Sequence, residues 1–449
     1  MMIKRVLLLT LVVAFCGALA ALAYAWHGEI APVSPPPAAA FERAQIERGA
    51  SLALIGDCRT CHTAPGGTTF AGGLAMPTPF GTIYSTNITP DPETGIGRWP
   101  LAAFVRAMRE GVDREGRHLY PAFPYDHFSL TTDADLAALY AFLMTRAPVV
   151  ATAPANQLPF PINIRLVLAG WKLLFFHPEP FKDDPARDAA WNRGRYLVEG
   201  LAHCGACHTP RNLMGAEIRS RAFAGGEAEG WSAYPLGAQS PARVPWTKAA
   251  LAQYLREGWQ ADHGVALGPM GPVTENLAEA PAQDIEAMAD YLASLGTSAS
   301  KTTTPKAPAP DASGQRPQSA GWQAAAMALP ANASAGRRVF AAACAACHQA
   351  GRPLPLGGVD LALSTALAAE TPQNLLNLIL RGVPAADGVA APIMPPFAAM
   401  DDTALTALLD YLRRDIAARP AWPDLAAAIT AARRAAAPQT NANPAKGAP

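Results

Sequence analysis

Cys58-Arg59-Thr60-Cys61-His62 is a five-residue pattern that returns as Cys204-Gly205-Ala206-Cys207-His208 and as Cys344-Ala345-Ala346-Cys347-His348. Two thiols one helical turn apart can form thioether bonds to both vinyl groups of one porphyrin, and the adjacent His then lies under the iron as its proximal ligand. The pattern is typical of c-type haem attachment, and its three copies predict three covalently bound haem c groups. The predicted proximal iron ligands are His62, His208 and His348.

A zinc site is another interpretation of such Cys and His pairs. Zinc needs four ligands in one place, whereas successive motifs lie about 140 residues apart. Six of the seven cysteines belong to the motifs, and the seventh, Cys16, lies in an apolar N-terminal segment. The arrangement therefore favours haem and leaves no cysteine pair for a disulfide.

Length and charge limit the class of protein further. A chain of 449 residues has room for about three domains. Its 36 basic residues balance 36 acidic ones, so no net field favours nucleic acid as a partner. No G-x-G-x-x-G dinucleotide fingerprint is present, and the haem blocks leave no evident room for a molybdopterin, flavin or quinone-cofactor domain.

The N-terminus carries an export signal. Lys4 and Arg5 precede an apolar run from Val6 to Trp26, which is long enough to cross a bilayer. Ala23-Tyr24-Ala25 offers a small-x-small cleavage site, so a cleaved signal peptide and a retained anchor are both open. Either places the haem domains on the outer, periplasmic side of the cytoplasmic membrane.

The three motifs belong to a longer internal repeat. A Gly precedes each first Cys by eight to ten residues (Gly49, Gly194 and Gly336). Each motif is followed by an amphipathic helix that ends near a Gly, at Leu101 to Gly111, Lys248 to Gly258 and Pro372 to Gly382. Closing helices follow, each with an aromatic residue expected on its packing face: Asp133 to Met144 with Tyr140, Asp284 to Leu295 with Tyr291, and Thr403 to Arg414 with Tyr411.

This repeat resembles small class I cytochrome c domains and predicts a mainly α fold of three such domains in tandem, with long loops and an N-terminal signal or anchor helix. The expected segments are a signal or anchor at 1–26, haem domains at 41–150, 191–297 and 334–416, a connection at 151–190, a linker at 298–333 and a tail at 417–449. We call the three domains block one, block two and block three. The apolar stretch from Leu158 to Phe176 is either a helix packed between haem domains or a surface for a partner or membrane.

The sixth iron ligands can be sought by counting along the repeat. Met270 follows Gly258 by twelve residues, and Met394 follows Gly382 by the same twelve. Both lie beside prolines that stiffen the loop, so they are predicted to be axial ligands, although His263 competes with Met270. In block one the same count reaches Phe123, which cannot bind iron. The alternatives there are His127, His118, Met76 or an open or water-ligated iron.

With these motifs, the chain resembles the triheme cytochrome c subunits of membrane-bound periplasmic dehydrogenases. The likeness extends from about Phe41 to Trp422 and is most specific in the stretches from Thr78 to Gly97 and from Gly200 to Arg211. The resemblance implies a catalytic partner subunit, either a quinoprotein or a molybdenum hydroxylase with an iron–sulfur subunit. Phe123 and the stretch from Trp171 to Phe176 favour the molybdenum type, which acts on nicotinate, isoquinoline or aldehydes.

The resemblance implies an electron-transfer subunit that relays electrons to membrane ubiquinone or a terminal oxidase, without oxidising a substrate itself. The competing hypothesis is a haem enzyme, such as a peroxidase or a quinol-oxidising centre, with an open iron in block one. It depends on Phe123 standing where the repeat expects a Met.

Overall fold

The computed structural model describes residues 2–297, 331–348, 360–384 and 393–436. These residues are mainly helical, as predicted, and they include three small antiparallel sheets of two strands each. They form two compact units. Unit 1 contains the described residues of Met1–Phe223 and Glu275–Leu292, and unit 2 those of Ala224–Thr274 and Ala293–Pro449. Block two therefore contributes to both units.

Unit 1 begins with the apolar helix α1 (Met2–Ala25) and continues into block one. The elements of block one are α2 (Arg43–Ile55), α3 (Cys58–Cys61), β1 (Ala75–Thr78), β2 (Gly81–Tyr84), α4 (Leu101–Glu110), α5 (Tyr125–Phe128) and α6 (Asp133–Met144). The closing helix α6 begins where the Thr132 side chain accepts a hydrogen bond from the Asp135 amide, which satisfies one of the free N–H groups of the first turn. Its residues Leu136 and Leu139 are buried in the core of the block.

The connection and block two follow. Their elements are α7 (Leu168–Phe175), α8 (Ala189–Tyr196), α9 (Gly205–His208), β3 (Gly226–Ala228), β4 (Trp231–Ala233), α10 (Lys248–Glu257), β5 (Trp259–Gln260), β6 (Gly264–Val265), α11 (Met270–Ala278) and α12 (Ala282–Thr297). A π-helical turn at Leu197–Leu201 continues α8 toward the second motif.

Block three lies in unit 2. Its elements are α13 (Ala335–Ala343), α14 (Ala345–His348), α15 (Thr365–Ala368), α16 (Gln373–Arg381), α17 (Asp402–Tyr411) and, beyond the expected boundary at 416, α18 (Leu425–Ala436). Trp422, Leu425 and Ile429 are buried in the same core as Phe340 of the first helix. The first part of the expected tail therefore belongs to the core of this block. Most of the expected linker, 298–330, lies outside the described residues.

The middle helix of each block ends at a glycine, as the repeat predicts. Gly111, Gly258 and Gly382 follow α4, α10 and α16, and their φ angles are 61°, 70° and 72°. Glycine adopts positive φ without the steric cost that a Cβ brings, so it lets the chain leave the helix sharply. The loop that follows in block three returns to this point, because Val383 and Met394 exchange two backbone hydrogen bonds.

The first and last helices of each block cross at a glycine. A Cβ added to Gly49, Gly194 or Gly336 would lie 2.0, 1.9 or 2.0 Å from the carbonyl oxygen of Ala138, Ala287 or Ala407, respectively. Real Cβ atoms do not approach oxygen so closely, so glycine is what allows these backbones to touch. The same contact occurs three times and gives the repeat a physical basis.

This contact also sets the register of the closing helices. Tyr140 is buried in the core of block one, as expected of an aromatic residue on the packing face. The residue four positions after the contacted Ala, however, is Tyr291 in block two, Tyr411 in block three and Phe142 in block one. Tyr140 lies elsewhere on α6, where its hydroxyl donates to the Trp99 carbonyl at 2.8 Å. Tyr140 is therefore not equivalent to the other two tyrosines.

An ion pair accompanies the crossing in blocks one and two. Arg48 donates to Asp135 at 2.6 Å, and Arg193 donates to Asp284 at 2.8 Å. Each Arg directly precedes the crossing glycine, and each Asp precedes the contacted alanine by three residues. The corresponding positions in block three are Ala335 and Ala404, so both members of the pair are absent together.

Asp284→Ala is expected to lower the free energy of unfolding of unit 1 by about 2 kcal/mol, because Arg193 then lacks its charge-assisted hydrogen bonds in a half-buried site. Urea denaturation followed by circular dichroism measures this. The matched control is the double variant Arg193→Ala/Asp284→Ala, which reproduces the pair found in block three and should cost less than the sum of the single variants. Additive losses would show that the two side chains do not interact.

Candidate haem attachment sites

All three motifs share one backbone geometry. The His amide donates to the carbonyl of the first Cys in each, at 3.1 Å in His62, 3.0 Å in His208 and 2.9 Å in His348. The two cysteines and the histidine of a motif thus lie on a single helical turn, with the Cys side chains on neighbouring positions of one face. This is the arrangement that thioether attachment and proximal ligation require.

The first cysteine of each motif is partly buried. Burial raises the pKa of Cys58 and of Cys204 to about 12, and that of Cys344 to about 11. A reactive or redox-active C-x-x-C pair has the opposite property, a lowered pKa that yields thiolate at neutral pH. The first cysteine of each motif is therefore a poor thiolate nucleophile, and its partly buried position suits the edge of a porphyrin.

His62 has the hydrogen bond expected of a proximal ligand. Its Nδ1 lies 2.6 Å from the Thr86 carbonyl oxygen, and since a carbonyl only accepts, Nδ1 must carry the proton. The other nitrogen, Nε2, is then left with its lone pair, as iron binding requires. Burial lowers the pKa of His62, which keeps the ring neutral. Thr86 lies in the stretch from Thr78 to Gly97, but the sequence did not assign it this role.

A polar cluster within unit 1 holds the first motif in place. Asn276 donates to the buried Asp57 carboxylate and accepts from the Arg59 guanidinium at 2.6 Å. Thr60 donates to the same Asp57 oxygen at 2.6 Å. Burial raises the pKa of Asp57, although these hydrogen bonds oppose the shift. The residues before and between the two cysteines are thus fixed by a side chain more than 200 residues away in sequence.

In block three the predicted ligands border a common apolar core. Cys344 and Met394 both pack against the cluster that contains Phe340, Leu376 and Leu409. Met394 is half-buried, and the loop around it approaches Gly382 so closely that a Cβ there would lie 2.4 Å from the Met394 carbonyl oxygen. Met394 and the first cysteine of the attachment motif therefore border the same core. In block two, Met270 is the half-buried first residue of α11.

Block one places a phenylalanine where the repeat expects a methionine. Phe123 and Cys58 both pack against the core of the block, and the Phe123 ring meets the edge of the Phe128 ring at a centroid distance of 5.1 Å. Met76, one of the alternatives, is a half-buried residue of strand β1, where it pairs with Ile83. Position 123 therefore supplies apolar packing and no ligand atom.

His127 does not have a nitrogen available for iron in this arrangement. Its Nδ1 lies 2.7 Å from the Glu199 carbonyl oxygen, and its Nε2 lies 2.9 Å from the Glu217 carboxylate. Both partners accept, so both ring nitrogens must donate and the ring is a buried imidazolium. The prediction that His127 is the sixth ligand of the first haem is not supported by this geometry. The spacing of the repeat pointed to His127 as a ligand, but no residue near it in sequence indicates that Glu217 is its hydrogen-bond partner.

His118 is also occupied. Its Nε2 lies 3.0 Å from the Ala25 carbonyl oxygen, and its Nδ1 lies 3.0 Å from the Lys172 ammonium. Burial, reinforced by the charge of Lys172, lowers the pKa of His118 to about 4. The neutral ring thus donates to one partner and accepts from the other. Among the alternatives for the first haem, both histidines are committed to protein contacts.

The His127–Glu217 pair predicts a pH dependence of stability. Burial acts to lower the pKa of His127, but the hydrogen bond and charge of Glu217 outweigh it and raise that pKa to about 9. A pKa raised from its usual 6.5 stabilises the folded state fully below about pH 6.5, and the gain is lost as the pH rises through about 9. The contribution of His127 to the free energy of unfolding of unit 1 should therefore be lost between these two pH values. Lys172 acts in the opposite direction, because burial lowers its pKa to about 7 and the folded state gains stability as the pH rises above that value.

Thermal unfolding at a series of pH values tests this. His127→Gln keeps a donor for Glu217 but cannot titrate, so it should be less stable than the parent chain at neutral pH, and the difference should shrink as the pH rises through about 9. A variant that retains the slope of the parent chain would place the titrating group elsewhere.

The chain is similar to known cytochrome proteins. Residues 331–412 match the family model described as cytochrome c oxidase, cbb3-type, subunit III. The chain is 47% identical over 411 residues to one of the subunits of nicotinate dehydrogenase from Pseudomonas putida, covering 90% of this chain and 33% of that protein. It thus spans about a third of the length of this relative.

Two relatives match over most of their own length. The fructose dehydrogenase cytochrome subunit of Gluconobacter japonicus is 37% identical, with 85% of this chain and 81% of that protein covered. The gluconate 2-dehydrogenase cytochrome c subunit of Pantoea cypripedii is 37% identical, with 82% and 85% covered. A family of cytochromes c implies covalently bound haem c, which the geometry of the motifs fits. The chain belongs to the family of cytochrome c subunits of dehydrogenases.

Proposed function

We propose that this chain is a triheme electron-transfer subunit, which accepts electrons from the catalytic subunit of a dehydrogenase complex and passes them to ubiquinone or a terminal oxidase at the cytoplasmic membrane. The observation that carries the proposal is the threefold recurrence of one arrangement: a C-x-x-C-H turn in a block whose first and last helices cross at a glycine. Haem c supplies reversible one-electron exchange at each motif.

The residues assigned to the haems follow from the three motifs. Cys58 and Cys61, Cys204 and Cys207, and Cys344 and Cys347 would form the thioethers, with His62, His208 and His348 as proximal ligands. Met270 and Met394 are proposed as sixth ligands in blocks two and three. The hydrogen bond from His62 to Thr86 orients the first of these ligands, and Cys58, Cys204 and Cys344 are half-buried at the proposed attachment points.

The class of catalytic partner is proposed from the relatives. One is named as a component of a nicotinate dehydrogenase, and others as cytochrome subunits of fructose and gluconate dehydrogenases. The higher identity to the first, together with Phe123 in place of a Met, favours a molybdenum hydroxylase with an iron–sulfur subunit over a quinoprotein. Nicotinate and related aromatic heterocycles or aldehydes are the proposed substrates of that partner, and this chain does not itself oxidise them.

The complex purified from its native membrane tests this proposal. Nicotinate, an aldehyde, an alcohol and fructose are added in turn. One substrate class should convert the haem iron of the complex from the ferric to the ferrous form, which is followed by absorption spectroscopy. The chain purified alone should show no reduction with any of them. Substrate-driven reduction of the isolated chain would overturn the assignment as a non-catalytic subunit.

A second function is favoured by one observation in block one. Phe123 supplies no ligand, and the ring nitrogens of His127 and His118 are bound to protein groups. With both histidines bound to protein groups, the alternatives for this block are ligation by Met76 or an open iron, and an open iron would suit a haem enzyme such as a peroxidase or a quinol-oxidising centre. Carbon monoxide discriminates between the two: rapid binding to about one third of the reduced haem would favour the open iron, and no binding would favour six-coordinate haems throughout.

Met394→Leu should lower the reduction potential of one haem by a sizeable part of the roughly 0.8 V range that axial ligands span. Leucine fills a similar volume against the block-three core but has no sulfur to bind iron. A potentiometric titration and the far-red sulfur-to-iron absorption band of the oxidised protein measure the change. Met400→Leu, a neighbouring methionine on the same core, is the matched control and should leave both unchanged. An unaltered spectrum in Met394→Leu would refute the assignment.

A further inference from the structure

The helix α1 ends at a fixed point on unit 1. Its last residue, Ala25, is buried, and the Ala25 carbonyl accepts a hydrogen bond from His118 Nε2 at 3.0 Å. The following residues are held as well, because Arg106 donates to the Gly28 carbonyl at 2.8 Å and the Ile30 amide donates to the Arg114 carbonyl at 2.9 Å. The point at which α1 joins the unit is therefore fixed by these contacts.

The same contacts are relevant to whether α1 is cleaved off or retained. Cleavage after Ala23-Tyr24-Ala25 would remove the carbonyl on which the buried His118 depends. A buried donor without an acceptor costs about 1–3 kcal/mol. The 24 residues of α1 correspond to about 36 Å of helix, which is enough to cross a hydrocarbon core of about 30 Å. Its most apolar part is not covered by any other part of the chain that the structure describes.

The helix α7 lies beside this point and has its polar side turned inward. Lys172 is buried, donates to the carbonyls of Glu110 and Gly111 at 2.6 and 2.7 Å, and approaches His118 Nδ1 at 3.0 Å. Leu173 and Leu174, in contrast, are 60% and 63% exposed. Soluble helices normally show the reverse pattern, with charges outside and leucines inside.

The segment before α7 continues this pattern. We define the apolar face as the exposed hydrophobic residues of this part of the chain: Phe160, Ile164, Leu166, Val167, Leu173 and Leu174. The second cation of the segment, Arg165, also points to the protein, since it donates to the His118 carbonyl at 3.0 Å and lies over the Tyr120 ring. Both charges of the segment are thus withdrawn from the apolar face.

We propose that α1 is retained as a membrane anchor and that the apolar face lies in the lipid interface next to it, so that unit 1 rests on the bilayer through residues 160–174. The bond chain from Ala25 through His118 to Lys172 places the end of the anchor and α7 together. Trp26 and Tyr24, 72% and 51% exposed, lie at the end of the anchor, where aromatic residues mark the membrane–water boundary.

A lipid surface fits this face better than a protein partner does. A protein interface carries hydrogen-bonding groups around an apolar centre, whereas here the two cations bind inward to the protein. Lipid chains require only apolar contact, and an interfacial helix supplies it by burying one side at the headgroup boundary. The anchor also brings the face to the membrane without any further partner.

The full chain, reconstituted in vesicles of phosphatidylethanolamine and phosphatidylglycerol, tests the proposal with a photoreactive label dissolved in the lipid phase. Peptide mass spectrometry should find label in α1 and in 160–174. The pair Leu173→Glu/Leu174→Glu should reduce labelling of 160–174 about tenfold, because two leucines no longer enter the lipid, while labelling of α1 stays constant. Val150→Glu, at an exposed valine of unit 1, is the matched control and should leave both unchanged.

Two results would overturn the proposal. One is a mature chain that begins at Trp26, read by intact mass. The other is a parent chain labelled in α1 but not in 160–174, a result that does not depend on whether any variant folds. The labelling requires no electron transfer, so its failure leaves the proposed relay function standing, and failure of that function leaves the membrane surface standing.

Discussion

A chain in which Cys58 and Cys61 are both replaced by Ala is expected to carry two covalent haems instead of three. The thioethers of Cys58 and Cys61 would be the covalent links of this haem, whereas coordination by His62 alone would not survive denaturation. Haem content per chain, measured from the alkaline pyridine spectrum, should therefore fall by one third. The intact mass of the chain should be lower by the mass of one haem, in addition to the small decrease caused by the two substitutions.

The effect should extend beyond the haem count, because the motif contributes to the core of its block. Cys58 packs against the cluster that includes Phe104 and Leu136, and loss of a haem attached there would expose this part of the core. Cys16→Ala is the matched control, since Cys16 is exposed on α1 and belongs to no motif. A double variant that still holds three haems would refute attachment at block one, and loss of haem in Cys16→Ala would show that export was disturbed.

Gly194→Ala should be among the most damaging single-methyl changes in the chain. The new Cβ would lie 1.9 Å from the Ala287 carbonyl oxygen and 3.0 Å from the Tyr291 Cβ. A backbone carbonyl inside a helix cannot rotate away, so the two helices must separate, and the free energy of unfolding should fall by about 3 kcal/mol or more.

The control for this variant is Gly170→Ala, another glycine within a helix. A Cβ at Gly170 meets nothing within 4 Å, so alanine there should stabilise α7 by up to about 1 kcal/mol through its higher helix propensity. Thermal unfolding of both variants, followed by haem absorption, separates the crowding at the crossing from the general effect of replacing glycine. Equal stability of the two would mean that the helices do not touch at Gly194.

Features that depend on local sequence were predictable. The three motifs, the glycines at the ends of α4, α10 and α16, and the start of α6 at Asp133 follow from spacing and from residue preference at helix ends. The register of α6 could not be predicted from the sequence. Tyr140 and Phe142 are both aromatic, and only the contact of Gly49 with Ala138 distinguishes them.

Features that depend on distant residues could not be predicted from one sequence. The Thr86 carbonyl is one of many that follow the first motif, and only folding brings it to His62. Glu217 lies 90 residues from His127 in sequence. The spacing of the repeat predicted that His127 binds iron, and it could not show that the charge of this histidine is balanced by Glu217. The same applies to Asn276, whose partners Asp57 and Arg59 precede it by more than 200 residues.

Block three lacks both members of the ion pair, so its stability should depend on salt concentration differently from that of the other two blocks. Where Arg48 and Arg193 meet carboxylates, dissolved salt screens part of the attraction, because the arginines remain partly exposed. Ala335 and Ala404 carry no charge to screen. As ionic strength rises, blocks one and two lose a stabilising contribution at their helix crossing that block three never had.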